Sequence, residues 1–156
     1  MGRFIFVSLG LLVLAFSLSG IGADQHCPSG WFSHNVSCYK LINDWKTWDE
    51  AQRFCMDEQE NGQLASINDV GESVKLSDEF SKTWSIIDVW IGLRLSKRKS
   101  IWEWIDGSNV TQTRWEEGEP NNFLKKEFCV VLTSRSRYLK WNDKDCNRRH
   151  RFLCKF

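Results

Sequence analysis

Residues 119–146 read EPNNFLKKEFCVVLTSRSRYLKWNDKDC, the most distinctive stretch of the sequence. The motif Glu119-Pro120-Asn121 opens it, Glu127 follows six residues after Asn121, and Trp141-Asn142-Asp143 lies near its end. Between the two polar motifs, the apolar composition of Phe128 to Thr133 predicts a β-strand. A proline between an acid and an amide favours a fixed turn, and the bond before it can be cis.

The polar side chains of these two motifs are all oxygen donors. Glu119, Glu127 and Asp143 are carboxylates, and Asn121 and Asn142 are amides. Carboxylates mixed with amide carbonyls suit Ca²⁺ better than zinc or copper, and the acids should repel one another until a cation binds. The spacing alone also fits a plainer interpretation, an acidic loop beside a tryptophan-rich strand.

Towards the start of the chain, the sequence predicts a first helix. Thr47-Trp48-Asp49-Glu50 has the form of a capping box, in which Thr47 is the N-cap and Glu50 reaches back to it. Asn61-Gly62 supplies the stop. The helical spacing is carried by three residues, Trp48, Ala51 and Cys55.

A second helix and several strands are predicted beyond it. This helix starts after Asn68 or Asp69, and its inner side is expected to carry Val70, Val74 and Phe80. The strand-like runs are Val89 to Leu93, Ile101 to Ile105, Phe128 to Thr133, Tyr138 to Trp141 and Phe152 to Lys155. A polar stretch, Ser108 to Phe123, is too long for a hairpin turn. Helices followed by strands indicate the α+β class.

Composition excludes several classes of protein. The chain has 156 residues, of which 42% are hydrophobic and 26% charged, and this is the size of one domain with a core. Such a composition excludes a disordered tail and a collagen-like repeat. A net charge of +1 argues against a nucleic-acid-binding protein, which needs a basic excess.

Residues 1–23 are interpreted as a secretory signal peptide. Arg3 gives the positive start, Phe4 to Phe16 the apolar stretch, and cleavage is expected after Ala23, with Gly22 as the alternative. The competing interpretation is a membrane anchor, but the apolar run falls short of the roughly 20 residues that a spanning helix needs. The expected product is a secreted, extracellular protein.

The remaining residues, 24–156, are expected to form a single domain with zero net charge. Removing Arg3 with the leader leaves 20 basic and 20 acidic residues, and all six cysteines remain. In an oxidising compartment an even cysteine count favours disulfides over a metal site, although six cysteines allow fifteen pairings. Asn35 and Asn109 begin Asn-x-Ser/Thr triplets and are candidate glycosylation sites.

From Cys27 to Cys154, the chain resembles the C-type lectin domain. The resemblance rests on Trp90-Ile91-Gly92-Leu93, the Glu-Pro-Asn and Trp-Asn-Asp motifs, and the spacing of the cysteines. Within that family the chain is most similar to the secreted snake-venom lectins of the lectoxin group. The resemblance implies two helices, small antiparallel sheets, a long calcium-binding loop and a core position for Trp90 to Leu93.

The resemblance also implies the disulfide pairing and the ligands. Three bridges are expected: Cys27–Cys38, Cys55–Cys154 and Cys129–Cys146. One principal Ca²⁺ is expected, with five side-chain ligands that also hold the sugar: Glu119, Asn121, Glu127, Asn142 and Asp143.

The order of acid and amide around Pro120 bears on the choice of sugar. Two adjacent sugar hydroxyls would lie on the ion, donating to carboxylates and accepting from asparagine NH₂ groups. The acid-Pro-amide order resembles the mannose type, so mannose, glucose, fucose or N-acetylglucosamine on cell-surface glycoproteins or glycolipids is expected. Affinity for one sugar should be weak, and agglutination of cells as a venom component would need multivalency.

Departures from the family pattern lead to two further expectations. Relatives with a second calcium ion have acids where this chain has Asn122, Phe128 and Arg94 or Leu95, so the auxiliary site is expected to be absent. Dimeric relatives carry an additional cysteine near residues 94–100, and this chain has none there. A monomer or a non-covalent oligomer is therefore expected.

Two alternatives to a lectin fit parts of the sequence. Some venom relatives bind coagulation factors or platelet receptors through protein contacts and so affect haemostasis; Lys125-Lys126 and Lys144 to Arg151 could serve such a partner or sulfated glycans, or be solvated charge. Catalysis would need a free pair among Glu116, Glu117, Glu119 and Glu127. Because Glu119 and Glu127 are expected on calcium, no enzyme is predicted, and neither nucleic-acid binding nor membrane insertion is expected.

Overall fold

A computed structural model of the protein describes residues 26–83, 86–96 and 98–156. The signal peptide expected at residues 1–23 lies outside these ranges. Among the described residues, no helix has the length and apolar character required to span a bilayer.

In the described ranges the chain forms two α-helices and eight strands, which confirms the α+β class. The helices are α1 (Trp48–Glu58) and α2 (Val70–Ser81). The strands are β1 (Phe32–His34), β2 (Ser37–Lys46), β3 (Gln63–Leu64), β4 (Val89–Leu95), β5 (Trp102–Trp104), β6 (Glu127–Leu132), β7 (Trp141–Asp145) and β8 (His150–Lys155). Short 3₁₀ turns occupy Phe123–Lys125 and Ser134–Ser136.

All eight strands join in one sheet in the order β1-β2-β8-β4-β6-β7, with β3 on β8 and β5 on β4. The pairings are antiparallel as expected, except that β4 and β8 run parallel with Trp90 opposite Phe152. β6 and β7 pair with Val131 opposite Asn142 and Val130 opposite Asp143. This pairing puts the second polar motif beside a buried strand.

Strand β4 is buried on both of its faces, as the core position of Trp90 to Leu93 implied. Alternate side chains of a strand point to opposite faces, and here Val89, Ile91 and Leu93 join one hydrophobic cluster while Trp90 joins the other. The Trp90 indole N–H donates to the Lys46 carbonyl at 3.0 Å.

Helix α1 begins as the capping box predicted. The Thr47 hydroxyl accepts from the Glu50 N–H at 3.4 Å, and the Glu50 carboxylate accepts from the Thr47 N–H at 2.9 Å. The three residues at helical spacing are buried: Trp48, Ala51 and Cys55. The predicted stop holds, because Asn61 has a positive φ of 61° and a Cβ on Gly62 would lie 2.2 Å from the Cys55 carbonyl oxygen.

Helix α2 starts after Asp69, but its inner face differs from the prediction. Phe80 is buried as expected, whereas Val70 is 56% and Val74 47% exposed, so these two assignments are wrong. The side chains that face inward are Glu72, Ser73, Leu76, Ser77 and Phe80. Glu72 accepts hydrogen bonds from the Tyr39 hydroxyl, the Lys155 ammonium and the Asn68 N–H, so the buried face is partly polar there.

The strand predictions need two corrections. No strand was predicted before α1, yet β1 and β2 form a hairpin there; the burial pattern of β2 lacks the regular alternation that signals a strand. The run Tyr138 to Trp141 is not a strand as a whole. Arg137 and Tyr138 have positive φ values of 56° and 63°, which turn the chain, and β7 starts only at Trp141.

Three disulfides join the elements: Cys27–Cys38, Cys55–Cys154 and Cys129–Cys146. These pairs are the ones that the resemblance implied. The second bridge closes a loop of 99 residues between α1 and β8 and is expected to stabilise the fold by about 4–5 kcal/mol in the chain-entropy model. The third ties β6 to the residue after β7 and so fixes the strands that flank the polar motifs.

Candidate metal centre

The long loop before β6 is held against the start of β7. The Trp141 N–H donates to the Arg114 carbonyl at 2.7 Å, and the Glu116 N–H donates to the Trp141 carbonyl at 2.9 Å. The chain then turns through Gly118, with a φ of 80°, into a cis peptide bond between Glu119 and Pro120. The loop thereby brings its acid-Pro-amide motif to the strand that carries Asn142 and Asp143.

Asp143 is the buried anchor of the centre. Its side chain is 0% exposed, and its two carboxylate oxygens accept from the Asn121 N–H at 3.1 Å and from the Asn122 N–H at 2.7 Å. Hydrogen bonds from backbone N–H groups stabilise a buried carboxylate. Asp143 therefore fixes the end of the loop relative to β7.

Glu119 lies close to Asp143. Its carboxylate oxygens accept from the Asn121 N–H at 3.1 Å and from the Asn121 side-chain NH₂ at 3.2 Å. The pKa of Glu119 is raised, first because burial disfavours its charge and then because its carboxyl contacts Asp143. Two carboxyl groups in contact are the arrangement that a bound cation would stabilise.

Asn142 has an unusual environment for an amide. It is only 7% exposed, and its side-chain oxygen is buried with no hydrogen-bond partner among the described residues. Buried polar atoms in folded proteins almost always have a partner. An oxygen without one, in the residue that precedes Asp143, fits the hard-oxygen ligand set that Ca²⁺ prefers.

Glu127 joins the same loop from β6. Its carboxylate accepts from the Phe123 N–H at 3.0 Å, and its N–H donates to the Asn122 side-chain oxygen at 3.1 Å. Three successive backbone N–H groups, from Asn121 to Phe123, thus donate to Asp143 or Glu127. Sequence reasoning missed this bracing role of Asn122, which only the geometry of the loop reveals.

The structure brings the five predicted ligands to one loop and two strands, but not into a finished coordination shell. Among the described residues, no three His, Cys, Asp or Glu side chains are grouped so that they could hold a metal ion. Two of the five ligands are amides, and the Glu127 carboxylate is directed to Phe123. A cation here would be held by carboxylates and amides together.

The positions of an auxiliary calcium site carry other contacts. The Arg94 guanidinium lies 5.5 Å from the centre of the Trp48 ring, and the Asn122 side chain is engaged with Glu127. Neither side chain adds a negative charge. The absence of a second ion nevertheless stays a prediction.

Tryptophans pack directly behind the polar motifs. The Trp141 ring lies 5.7 Å from Trp115 and 5.5 Å from Trp104, edge to face in both cases. Neighbouring Glu116, which was a candidate in the catalytic alternative, is buried and bonded to Thr133 and Arg135. Its carboxylate is therefore occupied by structural contacts.

The chain is similar to known proteins in both sequence and structure. The profile of the lectin C-type domain matches residues 44–156. C-type lectin lectoxin-Phi1 of Philodryas olfersii is 99% identical, over 100% of both chains. C-type lectin 1 of Hydrophis hardwickii is 65% identical, over 100% of this chain and 95% of its own.

Among solved structures, human lithostathine superposes with a TM-score of 0.78 at 31% identity, covering 83% of this chain and 98% of its own. The carbohydrate-recognition domain of cow CD23, solved in the presence of a GlcNAc2Man3 oligosaccharide, gives a TM-score of 0.72 at 28% identity. It covers 85% of this chain and 96% of its own.

Proposed function

The chain belongs to the lectin C-type domain family, and we propose that it is a secreted, calcium-dependent lectin that binds glycans of the mannose class. Its snake relatives are lectins and lectoxins, which are binding proteins and not enzymes. The cow CD23 domain was solved with an oligosaccharide that contains mannose, which supports glycans as the ligand class.

One observation supports calcium most directly: the side-chain oxygen of Asn142, the residue before Asp143, is buried without a hydrogen-bond partner among the described residues. The residues that would hold the ion are the predicted five, Glu119, Asn121, Glu127, Asn142 and Asp143. When bound, the ion would supply positive charge and coordination positions for two sugar hydroxyls. The carboxyl pair of Glu119 and Asp143 would then no longer be uncompensated.

The side chains around the turn set the hydrogen-bond pattern for the sugar. Glu119 is partly exposed and Asn121 is exposed, so both reach solvent on the outer side of the loop. The Glu119 carboxylate can accept from a sugar hydroxyl, and the Asn121 NH₂ can donate to the neighbouring one. This acid-then-amide order supports the mannose class over the galactose class.

The open setting of these side chains predicts weak binding to a single sugar. A few hydrogen bonds on an exposed loop bury little surface, and ligand affinity falls accordingly. Agglutination of cells would require several domains acting together, which raises avidity without new contacts. Asn35 and Asn109 are both exposed, so both remain candidate glycosylation sites.

The test is retention of the protein on immobilised mannose and on immobilised galactose, each with millimolar Ca²⁺ and with chelator. We expect retention on mannose with calcium and elution by chelator. The double variant Glu119→Gln with Asn121→Asp should shift the preference toward galactose. Failure to bind any neutral sugar in calcium would refute the lectin proposal, and an unchanged preference in the variant would refute the role of the motif's order.

A further inference from the structure

A pocket of about 600 Å³ adjoins the candidate metal centre and shares Glu127 with it. We call it the basic pocket. It lies between the loop before β6, the end of β7 and the turn into β8. The charged residues that line it are Lys126, Glu127, Lys144, Asp145, Arg148 and Arg149.

The basic pocket contains more positive side chains than the neighbouring carboxylates pair with. Arg149 pairs with the Glu50 carboxylate at 3.2 Å and donates to the Trp45 carbonyl at 3.1 Å. The side chains of Lys126, Lys144 and Arg148 have no ion pair and no hydrogen bond among the described residues. Three cations therefore face the pocket without a bonded carboxylate.

The two carboxylates in the pocket are already engaged. Asp145 accepts from the backbone N–H and the side-chain NH₂ of Asn147, both at 3.0 Å. Glu127 accepts from the Phe123 N–H at 3.0 Å, and a cation at the metal centre would compensate its charge further. The net charge that an occupant would meet is positive.

His150 also lines the pocket and stays neutral near pH 7. Its pKa is lowered, chiefly by burial, although Asp88 opposes this effect. The positive charges of Lys144 and Arg148 lower it further, which shows that both act on the same region. The attraction for an anion consequently comes from the lysine and arginine side chains of the pocket.

The rim of the pocket is apolar on the side of the metal centre. Phe123 is 64% and Leu124 70% exposed, and both follow directly after the Asn121-Asn122 corner of the sugar loop. Exposed apolar side chains can cover the face of a sugar ring, while cations reach its charged substituent. A chain of sugars leaving the metal centre would cross this rim before it enters the pocket.

We propose that the basic pocket is an extension subsite for the anionic group, a sulfate ester or a carboxylate, of a glycan whose neutral sugar is held at the metal centre. The proposal rests on the proposed lectin function. A glycan is favoured over an acidic peptide because the pocket and the metal centre share Glu127 and are joined by the Phe123-Leu124 rim. The proposed ligand class is thus narrowed to mannose-type glycans that also carry an acidic group.

The experiment measures dissociation constants for three glycans with the same terminal mannose, in which the next sugar is neutral, sulfated or carries a carboxylate. Binding is measured in millimolar Ca²⁺ at low and at high ionic strength, with polyglutamate as a fourth probe. We expect the two acidic glycans to bind about fivefold more tightly than the neutral one, the size expected of one or two partly exposed ion pairs. The advantage should shrink in high salt.

The matched variants are Lys126→Gln/Arg148→Gln in the pocket and Arg53→Gln/Lys140→Gln on exposed surface elsewhere, so that both pairs change the net charge equally. Lys144 is kept because its charge acts on Glu119. The pocket variant, which keeps only Lys144 of the three unpaired cations, should lose most of the acidic preference, and the control should keep it.

Each other outcome contradicts the proposal in a recognisable way. Equal affinity of the wild type for neutral and acidic glycans would refute the subsite and leave the lectin function intact. Acidic glycans that bind equally well in chelator, or polyglutamate that binds more tightly than they do, would show a basic surface unconnected with the metal centre. If the wild type shows no calcium-dependent binding to any of the three glycans, the lectin function itself is refuted.

Discussion

Strand β4 and the candidate metal centre are built in opposite ways. Every residue of β4 from Val89 to Leu93 is buried, and the Trp90 indole N–H has a hydrogen-bond acceptor. At the metal centre Asn142 has an oxygen without a partner among the residues that the structure describes, and Glu119 has a raised pKa beside Asp143. The polar side-chain group of Trp90 is hydrogen-bonded within the described residues, whereas that of Asn142 has an oxygen that is not. Stability and binding should therefore respond to different substitutions.

The largest effect on stability is expected from Trp90→Ala. The side chain is fully buried, and its ring packs edge to face on His150 at 4.7 Å. Loss of a buried tryptophan should lower the free energy of unfolding by about 3–5 kcal/mol. Chemical denaturation in chelator measures this free energy. The control is Trp45→Ala at a half-exposed position, whose free energy of unfolding should lie within about 0.5 kcal/mol of the wild-type value. A loss at Trp90 no larger than that of the control would remove the contrast between the two regions.

Asn142→Ala should show the opposite behaviour. In chelator the variant loses no hydrogen bond at the side-chain oxygen, so its free energy of unfolding should stay within about 1 kcal/mol of the wild type. Calcium at 100 times its dissociation constant should stabilise the wild type by about 2.7 kcal/mol and the variant much less. Thermal unfolding with and without calcium measures both, and Asn147→Ala in the next turn is the control. Full calcium stabilisation of the Asn142 variant would contradict the ligand assignment.

Thr47→Ala tests a smaller, purely local contribution. Removing the N-cap hydroxyl of α1 should cost about 1 kcal/mol of folding free energy. Calcium affinity should not change, because the capping box makes no contact with the metal centre. Denaturation of the variant measures the stability loss, and a calcium titration measures its calcium affinity. A weakened calcium affinity would show that the helix cap and the metal centre are coupled.

The smallest effect concerns pH. His150 packs on Trp90, and its pKa lies below the ordinary value of 6.5 because of burial. As pH falls below 6.5 the unfolded chain takes up this proton before the folded chain does, so stability is full above that pH and declines below it. The decline between pH 7 and 5 should be shallower in His150→Gln. Parallel slopes for the two proteins would remove His150 as the cause.

Local patterns in the sequence predicted the elements whose signals are local. The capping box of α1 needs only Thr47 and Glu50, and the apolar run of β4 is continuous. The inner face of α2 was wrong because Glu72 is buried by its bonds to Tyr39 and Lys155, which are distant in sequence. No pattern in α2 itself announces those partners.

The site shows a similar division. Motifs and resemblance supplied the five candidate ligands, and the structure places these residues on one loop and two strands. The unpartnered oxygen of Asn142 and the bracing of Glu127 by Asn122 could not be predicted, since both depend on how the loop meets β7. Strand β2 was missed for a related reason, because its residues are buried by pairing with β8 and not by a regular pattern of their own.

Calorimetric titration of the protein with Ca²⁺ is the sharpest test of the metal centre. We expect one calcium ion to bind to the wild type and binding to be strongly weakened in Asn142→Ala, with both proteins folded at the start. A folded wild type that binds no calcium at millimolar concentration would contradict the proposed calcium site.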